Sequence, residues 1–276
     1  MNAAQLKPLV DKMPSKDGRG MFTKINGDEV SKAIATIDAS GSAGVLGLID
    51  LLAGPGEQDD TKPHYALHAL ALHIINSGDG GRQVQFAKAV ASQIGGQRPK
   101  AIQRYLCQLL QTAGGEEVAP PLGKLLTDEE LCESAAQALL AIGKGATEQL
   151  RATLPKASGS CRLTLVQNLG VAADSSSVTA LRTATRDKER DVRIAAAWAL
   201  GNIGDAGSVD AVLKASDATD LYERRKQADA ALLLAERLAT AGKKAESKKV
   251  YQYLQRTRTD KTELHVKQAA EKALTT

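Results

Sequence analysis

His64 and His68 stand four residues apart, a spacing that puts two imidazoles on one face of a helix. Such a pair is half of a tetrahedral zinc site, and Asp59 or Asp60 in the preceding loop could add a carboxylate. No His-Glu-x-x-His pattern accompanies them, so a helix-face pair beside a loop is expected and metal at His64 and His68 is the lesser reading. His73 occupies a slot filled by Leu109, Ala138 and Ala199 further along and is expected in the core; His265 is expected at the surface. Cys107, Cys132 and Cys161 fall in helical patterns with no nucleophile signature around them, so buried reduced thiols are expected. Cys132 and Cys161 are one step apart in register, which leaves a disulfide between them, and an oxidising compartment, as the alternative. Gly78-Asp79-Gly80-Gly81-Arg82 lacks the Lys-Ser/Thr of a phosphate-binding loop and reads as a turn. No catalytic residue and no cofactor emerge from this survey.

The elements that carry these residues are helical. The chain has 276 residues, 43% of them hydrophobic but only 3% aromatic, so its core must be built of Ala, Leu, Val and Ile. Alternation of β-branched and aromatic residues is nearly absent, which makes the fold all-α. The net charge is +4, and residues 218–276 hold 13 Lys or Arg against 8 Asp or Glu. A mild excess of this kind marks a solvated helix surface before it marks a nucleic-acid site. No run reaches ~18 apolar residues, so no membrane helix is expected. The start lacks the build of a signal peptide. Cytoplasm is the default location, with a mature exported chain as the alternative.

Three regions follow in order. In 1–62, a helix over 2–13 points Leu6, Val10 and Met13 inward, and 14–20 is a polar loop. Asp28 or Gly27 caps a helix to Ala39, a partner helix buries Val45, Leu48, Ile49 and Leu52, and 54–60 is a breaking insertion. In 63–217 the pattern becomes periodic. Gly78, Gly114, Gly143, Ala173 and Gly204 close successive helices at spacings of 36, 29, 30 and 31 residues. Val192 matches Cys161, Leu131, Ile102 and Ala66, and Leu200 matches Leu169, Leu139, Leu110 and Ile74. Two helices per period of about 30 is the pattern of a helical solenoid, whose repeats cannot cover their apolar faces alone. In 218–276 a longer helix from Leu221 to Ala239, a second from Lys244 to Arg256 and a final one from Thr262 to Leu274 cap the array, and Thr276 ends the chain.

The stretch Asp191-Val192-Arg193, Ala195-Ala196, Ala199-Leu200-Gly201 and Ile203-Gly204-Asp205 resembles the HEAT repeat of the short bilin-lyase-like type. The resemblance is close at 187–214, good at 128–154 and looser at 63–126 and 159–187, about two thirds of the chain. It implies a right-handed α–α superhelix, armadillo-like, with first helices outside and second helices lining a concave side. It also implies a polar ladder between repeats at Asp191, Arg193 and Arg162, interrupted where Cys132 replaces Arg. Ala235-Glu236-Arg237-Leu238, Gly242, Ala245, Tyr251 and Leu254 resemble a single tetratricopeptide hairpin.

The function expected from these features is a monomeric, non-catalytic scaffold that binds another protein or a peptide. Its partner-binding residues are Arg82, Gln85, Lys124, Arg151, Arg182 and Lys214, polar positions on second helices. Arg224, Arg225, Lys243, Lys244 and Lys248 form a basic face near Tyr222, Tyr251 and Tyr253, and nucleic-acid binding there is one alternative. HEAT-like folds also host alkyl-base glycosylases, bilin lyases and a di-iron hydroxylase. The single Trp198 sits on a first helix and is expected half-buried, and repeated His-Glu pairs are lacking, so of these only a lyase-type ligand-binding protein stays open.

Overall fold

The computed structural model describes every residue except Asn2, Lys24 and Thr276; the end assigned to Thr276 lies outside the described residues. Among those described, 16 α-helices, short 3-10 turns and one two-stranded hairpin make up the regular structure. The architecture is an all-α helical solenoid built of helix pairs. The chain divides into two compact units, 1–149 and 150–276.

The N-terminal unit begins with α1 (Ala3–Val10), whose Leu6 and Val10 are buried along with Met13 beyond its end. The polar loop after it is not structureless: β1 (Ser15–Lys16) pairs antiparallel with β2 (Phe22–Thr23). Helix α2 (Gly27–Asp38) is capped by neither Asp28 nor Gly27, because the Asn26 side chain reaches the Glu29 N–H at 3.3 Å and takes that place. Helix α3 (Ser42–Asp50) buries Val45, Leu48 and Ile49. The 54–60 insertion is tied down by its own carboxylates: Ala53 N–H donates to Asp60 Oδ2 at 3.0 Å and Gly54 N–H to Glu57 Oε2 at 2.9 Å. The pairs then run α4 (Thr61–Ser77) with α5 (Gly80–Ala91), α6 (Lys100–Ala113) with α7 (Ala119–Gly123), and α8 (Cys132–Ile142) with α9 (Ala146–Thr153), the last helix crossing the division between units.

The C-terminal unit continues with α10 (Gly159–Val171) and α11 (Val178–Ala184), then α12 (Arg190–Ile203) and α13 (Val209–Ala215). Their inward residues, Cys161, Leu169, Val192 and Leu200, are all buried, as the periodicity requires. Helix α14 (Leu221–Thr240) is the longest at 20 residues and is followed by α15 (Lys244–Thr257) and α16 (Leu264–Thr275).

Helix ends explain the period. Gly78 and Gly204 sit in the left-handed region at φ 70° and 73°. Ala173 occupies the matching place at φ 49° despite its Cβ, and the Asp174 N–H reaches back to Leu169 O at 3.2 Å to close the turn. Gly114 departs from the series, being extended at φ −76°. Small residues also set the spacing of first helices. A Cβ on Gly170 would stand 2.7 Å from Ala199 Cβ, and one on Gly201 only 2.6 Å from the Ala230 carbonyl oxygen. These glycines let α10, α12 and α14 approach backbone to backbone.

Candidate interaction surface

The polar second-helix residues divide into two kinds. Arg151 on α9 and Arg182 on α11 are fixed by the chain itself. Arg151 Nη1 donates to both oxygens of Asp174 at 2.7 and 2.6 Å. Arg182 donates from Nη2 to Asp205 Oδ2 at 2.5 Å and from Nε to Ser208 Oγ at 2.8 Å. Each aspartate precedes the next second helix, so each arginine ties one repeat to its successor. In the N-terminal unit Arg82 is likewise held by the buried Asp38, Nη1 to Oδ2 2.5 Å. By contrast Gln85, Lys124 and Lys214 are exposed, and neither lysine enters an ion pair among the described residues.

A second set of rungs runs along the first helices. Arg162 Nε donates to Asp187 Oδ2 at 2.6 Å and its Nη1 to Leu154 O at 2.9 Å. Arg193 meets both oxygens of Glu223 at 2.7 Å and also the carbonyls of Asp187 and Lys188. Arg224 donates to Glu263 Oε1 at 2.9 Å. These charge-assisted, partly desolvated contacts are stronger than exposed pairs. The expected ladder is therefore present with corrections. Asp191 is not part of it, being exposed and near only Arg190, and Arg224 belongs to it and not to a free basic face.

Electrostatics follow the rungs. Burial pushes the Asp187 carboxyl up, but the Glu189 N–H and the Arg162 guanidinium outweigh it and hold the group below its ordinary range. Asp205 behaves alike, burial opposing the Ser208 hydroxyl and Arg182 and losing. The Glu223 hydrogen bonds raise Arg193 further above its usual value. Where the ladder ends, Arg258 is wholly buried. Its Nη2 donates to Ser216 O at 2.6 Å and to Ser216 Oγ at 2.7 Å, while its Nε and Nη1 lack hydrogen-bond partners among the described residues.

The remaining basic positions do not form one surface. Arg225 lies at the start of α14, whereas Lys243 and Lys244 follow its end, roughly 25 Å away at ~1.5 Å rise per residue. Lys248, one turn into α15, is exposed with them. Tyr251 is buried and packs the hairpin; Tyr253 is half-buried and donates to Asp217; Tyr222 is exposed between Arg190 and Lys226. Trp198 is 36% exposed.

The histidines and cysteines resolve as follows. His64 Nε2 lies 3.0 Å from Asp60 Oδ2, and its ring stacks edge-on against Tyr105 with centroids 4.1 Å apart. His68 is exposed and stands apart from that contact, and no group of three or more His, Cys, Asp or Glu among the described residues could hold a metal. His73 is not a core residue: its imidazole is half-exposed and reaches over to Asp38 at 3.7 Å, drawn by the carboxylate at the end of α2. His265 is exposed. Cys107, Cys132 and Cys161 are buried and in no disulfide, so the Cys132–Cys161 bridge kept as an alternative is not formed. Burial pushes the Cys107 thiol up to about 12.

This is a helical-repeat protein. Residues 147–233 match the family model for HEAT repeats. Such arrays support protein interaction in general. No curated protein matches the chain. Among solved structures it is similar to an engineered protein, 20% identical over 98% of this chain and 78% of that one, with a TM-score of 0.47. It is also similar to the CpcE–CpcF complex of phycocyanin lyase from Nostoc, 17% identical over 82% and 92% with a TM-score of 0.40. Human deoxyhypusine hydroxylase gives 15% identity over 99% and 95% and a TM-score of 0.35. At these values nothing of those proteins' chemistry transfers. No single helix among the described residues is long and apolar enough to cross a membrane.

Proposed function

We propose that the chain is a non-catalytic scaffold that binds a protein or peptide segment across the concave face lined by its second helices. The observation that carries this reading is the contrast within one helix layer. Arg151 and Arg182 have their charge taken up by Asp174 and Asp205, while Lys214 on the neighbouring α13 stands exposed with no carboxylate partner among the described residues. A cation left free on a face whose other cations are locked is available to an acidic partner. Lys124 plays the same part in the N-terminal unit. Arg82, Arg151 and Arg182 contribute by fixing the backbone that presents such residues.

The test is capture from the source lysate with the purified chain as bait, against a Lys124→Glu, Lys214→Glu variant of unchanged Tm. Recovery of a protein by the wild type and its loss from the variant supports the scaffold. Equal recovery by both removes the assignment of these lysines, and recovery of only nucleic acid or a pigment removes the scaffold reading.

A further inference from the structure

A cavity of about 400 Å³ opens in the N-terminal unit between α1, the residue that ends α3 and the start of α4. That volume falls within the ~300–1,000 Å³ typical of small-molecule sites. The buried Val10 and Pro63 and the half-buried Leu51 give it an apolar wall. Its charged lining is balanced: Lys7 and Asp11 from α1 and its end, Asp59 from the loop before α4, and Lys62 from the first turn of α4. A ligand of one sign would meet a like charge there for every opposite one, so neither a simple anion nor a simple cation suits the cavity.

The four charges are not equally free. Lys62 Nζ donates to the Asp11 carbonyl oxygen at 3.0 Å. Asp59 Oδ1 accepts the Thr61 N–H at 3.0 Å and has Lys16 and Lys62 nearby. Lys7 enters no ion pair among the described residues, and the Asp11 carboxylate enters only a long one, 3.9 Å from Lys62. The Asp11 N–H donates to Lys7 O at 2.9 Å, which carries the last turn of α1 through Asp11. Lys7 and Asp11 therefore stand one turn apart on one face, with Cβ atoms about 5–6 Å apart, yet form no ion pair with each other. An ammonium and a carboxylate held side by side and left open complement a ligand that carries both opposite charges close together.

We propose that this cavity binds a small zwitterion with an apolar body, the chemistry of a free aliphatic α-amino acid. The ligand carboxylate accepts from Lys7 Nζ, and the ligand ammonium donates to the Asp11 carboxylate. Its hydrocarbon lies against Val10, Leu51 and Pro63. A ligand with one charge alone leaves Lys7 or Asp11 without a partner and gains only half of the polar contacts. The site uses none of the second-helix residues of the interaction face, so it stands or falls independently of the scaffold reading.

The experiment is an NMR titration of the full isotope-labelled chain with leucine, with isocaproate and isopentylamine, which keep its hydrocarbon but one charge each, and with glycine, which keeps both charges but no hydrocarbon. Leucine is expected to shift Val10 and Leu51 and to bind about 10-fold tighter than each of the other three. Lys7 and Asp11 are exposed, so Lys7→Gln and Asp11→Asn should leave Tm unchanged. In Lys7→Gln leucine should bind no better than isopentylamine, and in Asp11→Asn no better than isocaproate. Equal binding of leucine and either single-charge analogue to the wild type would overturn the zwitterion. Equal binding of glycine would overturn the apolar wall as part of the site. Shifts confined to residues outside the cavity, or no shift at about 10 mM leucine, would overturn the site itself.

Discussion

At the scale of single residues, the helix-ending positions show how far a spacing argument reaches. Position alone aligns Ala173 with the glycines, and its φ of 49° shows that the backbone there takes the left-handed conformation that glycine adopts without a Cβ penalty. Left-handed backbone costs an L-residue about 1–2 kcal/mol, partly offset because glycine has more freedom to lose on folding. Ala173→Gly is therefore expected to stabilise the protein by about 0.5 kcal/mol, read as a higher urea midpoint at unchanged m. A lower midpoint would mean that the turn closed by Asp174 stores no strain. The buried stripe was legible for a similar reason, since helical periodicity alone decides which residues face inward. His73 departs from the core place its slot predicts because that slot lies at the border of the stripe, where a carboxylate on a neighbouring helix can turn the ring outward. Gln227 Oε1, buried without a hydrogen-bond partner among the described residues, has a signal in sequence, a polar residue in an apolar register position, but its lack of a donor depends on side-chain placement that no spacing encodes.

At the scale of elements, the donors of the first-helix ladder recur at a fixed interval: Arg162, Arg193 and Arg224 are 31 residues apart. Their acceptors do not, lying 25, 30 and 39 residues downstream, because Asp187 precedes α12, Glu223 lies in the first turn of α14, and Glu263 follows the longer α14 and α15. Half of each rung is thus periodic and readable, and the other half depends on where along the next element the carboxylate falls. Asp187 and Asp205 have carboxyls held below the ordinary range, so the folded protein binds their protons less readily than the unfolded chain. Their contribution is complete above the unfolded value near 4 and is lost as pH falls through the lower folded value. Melting followed by circular dichroism should show Tm dropping as pH falls below about 4, and an Arg162→Gln, Arg182→Gln variant should melt lower at neutral pH with a shallower acid dependence. Parallel pH profiles would place the acid sensitivity elsewhere. The close approach of α10 and α12 gives another expectation. Gly170→Ala drives a methyl to 2.7 Å from both Ala199 Cβ and Trp198 Cζ3, and overpacking of this kind costs about 1–3 kcal/mol although alanine is the better helix former. A neutral or stabilising effect on the urea midpoint would show that the two helices can separate freely.

At the scale of the whole molecule, stability in a repeat array is a sum over neighbours, and the rungs belong to the interfaces, not to the repeats. Residues 164–194 contain one acceptor and one donor of each ladder: Asp174, Arg182, Asp187 and Arg193. A tandem duplication of that 31-residue segment would hand Arg182 a new Asp174, Arg193 a new Asp187, and pass the duplicated arginines on to Asp205 and Glu223. No charge would be stranded at the new junction, where Ile194 would be followed by Thr164 just as Leu163 is now. The duplicated protein is expected to keep its helical signal per residue and a cooperative melt within a few degrees of the original, whereas loss of either would show that pairing does not survive the added turn. The chain can in this way gain length by copying itself, because each repeat already carries the complement its own copy would need.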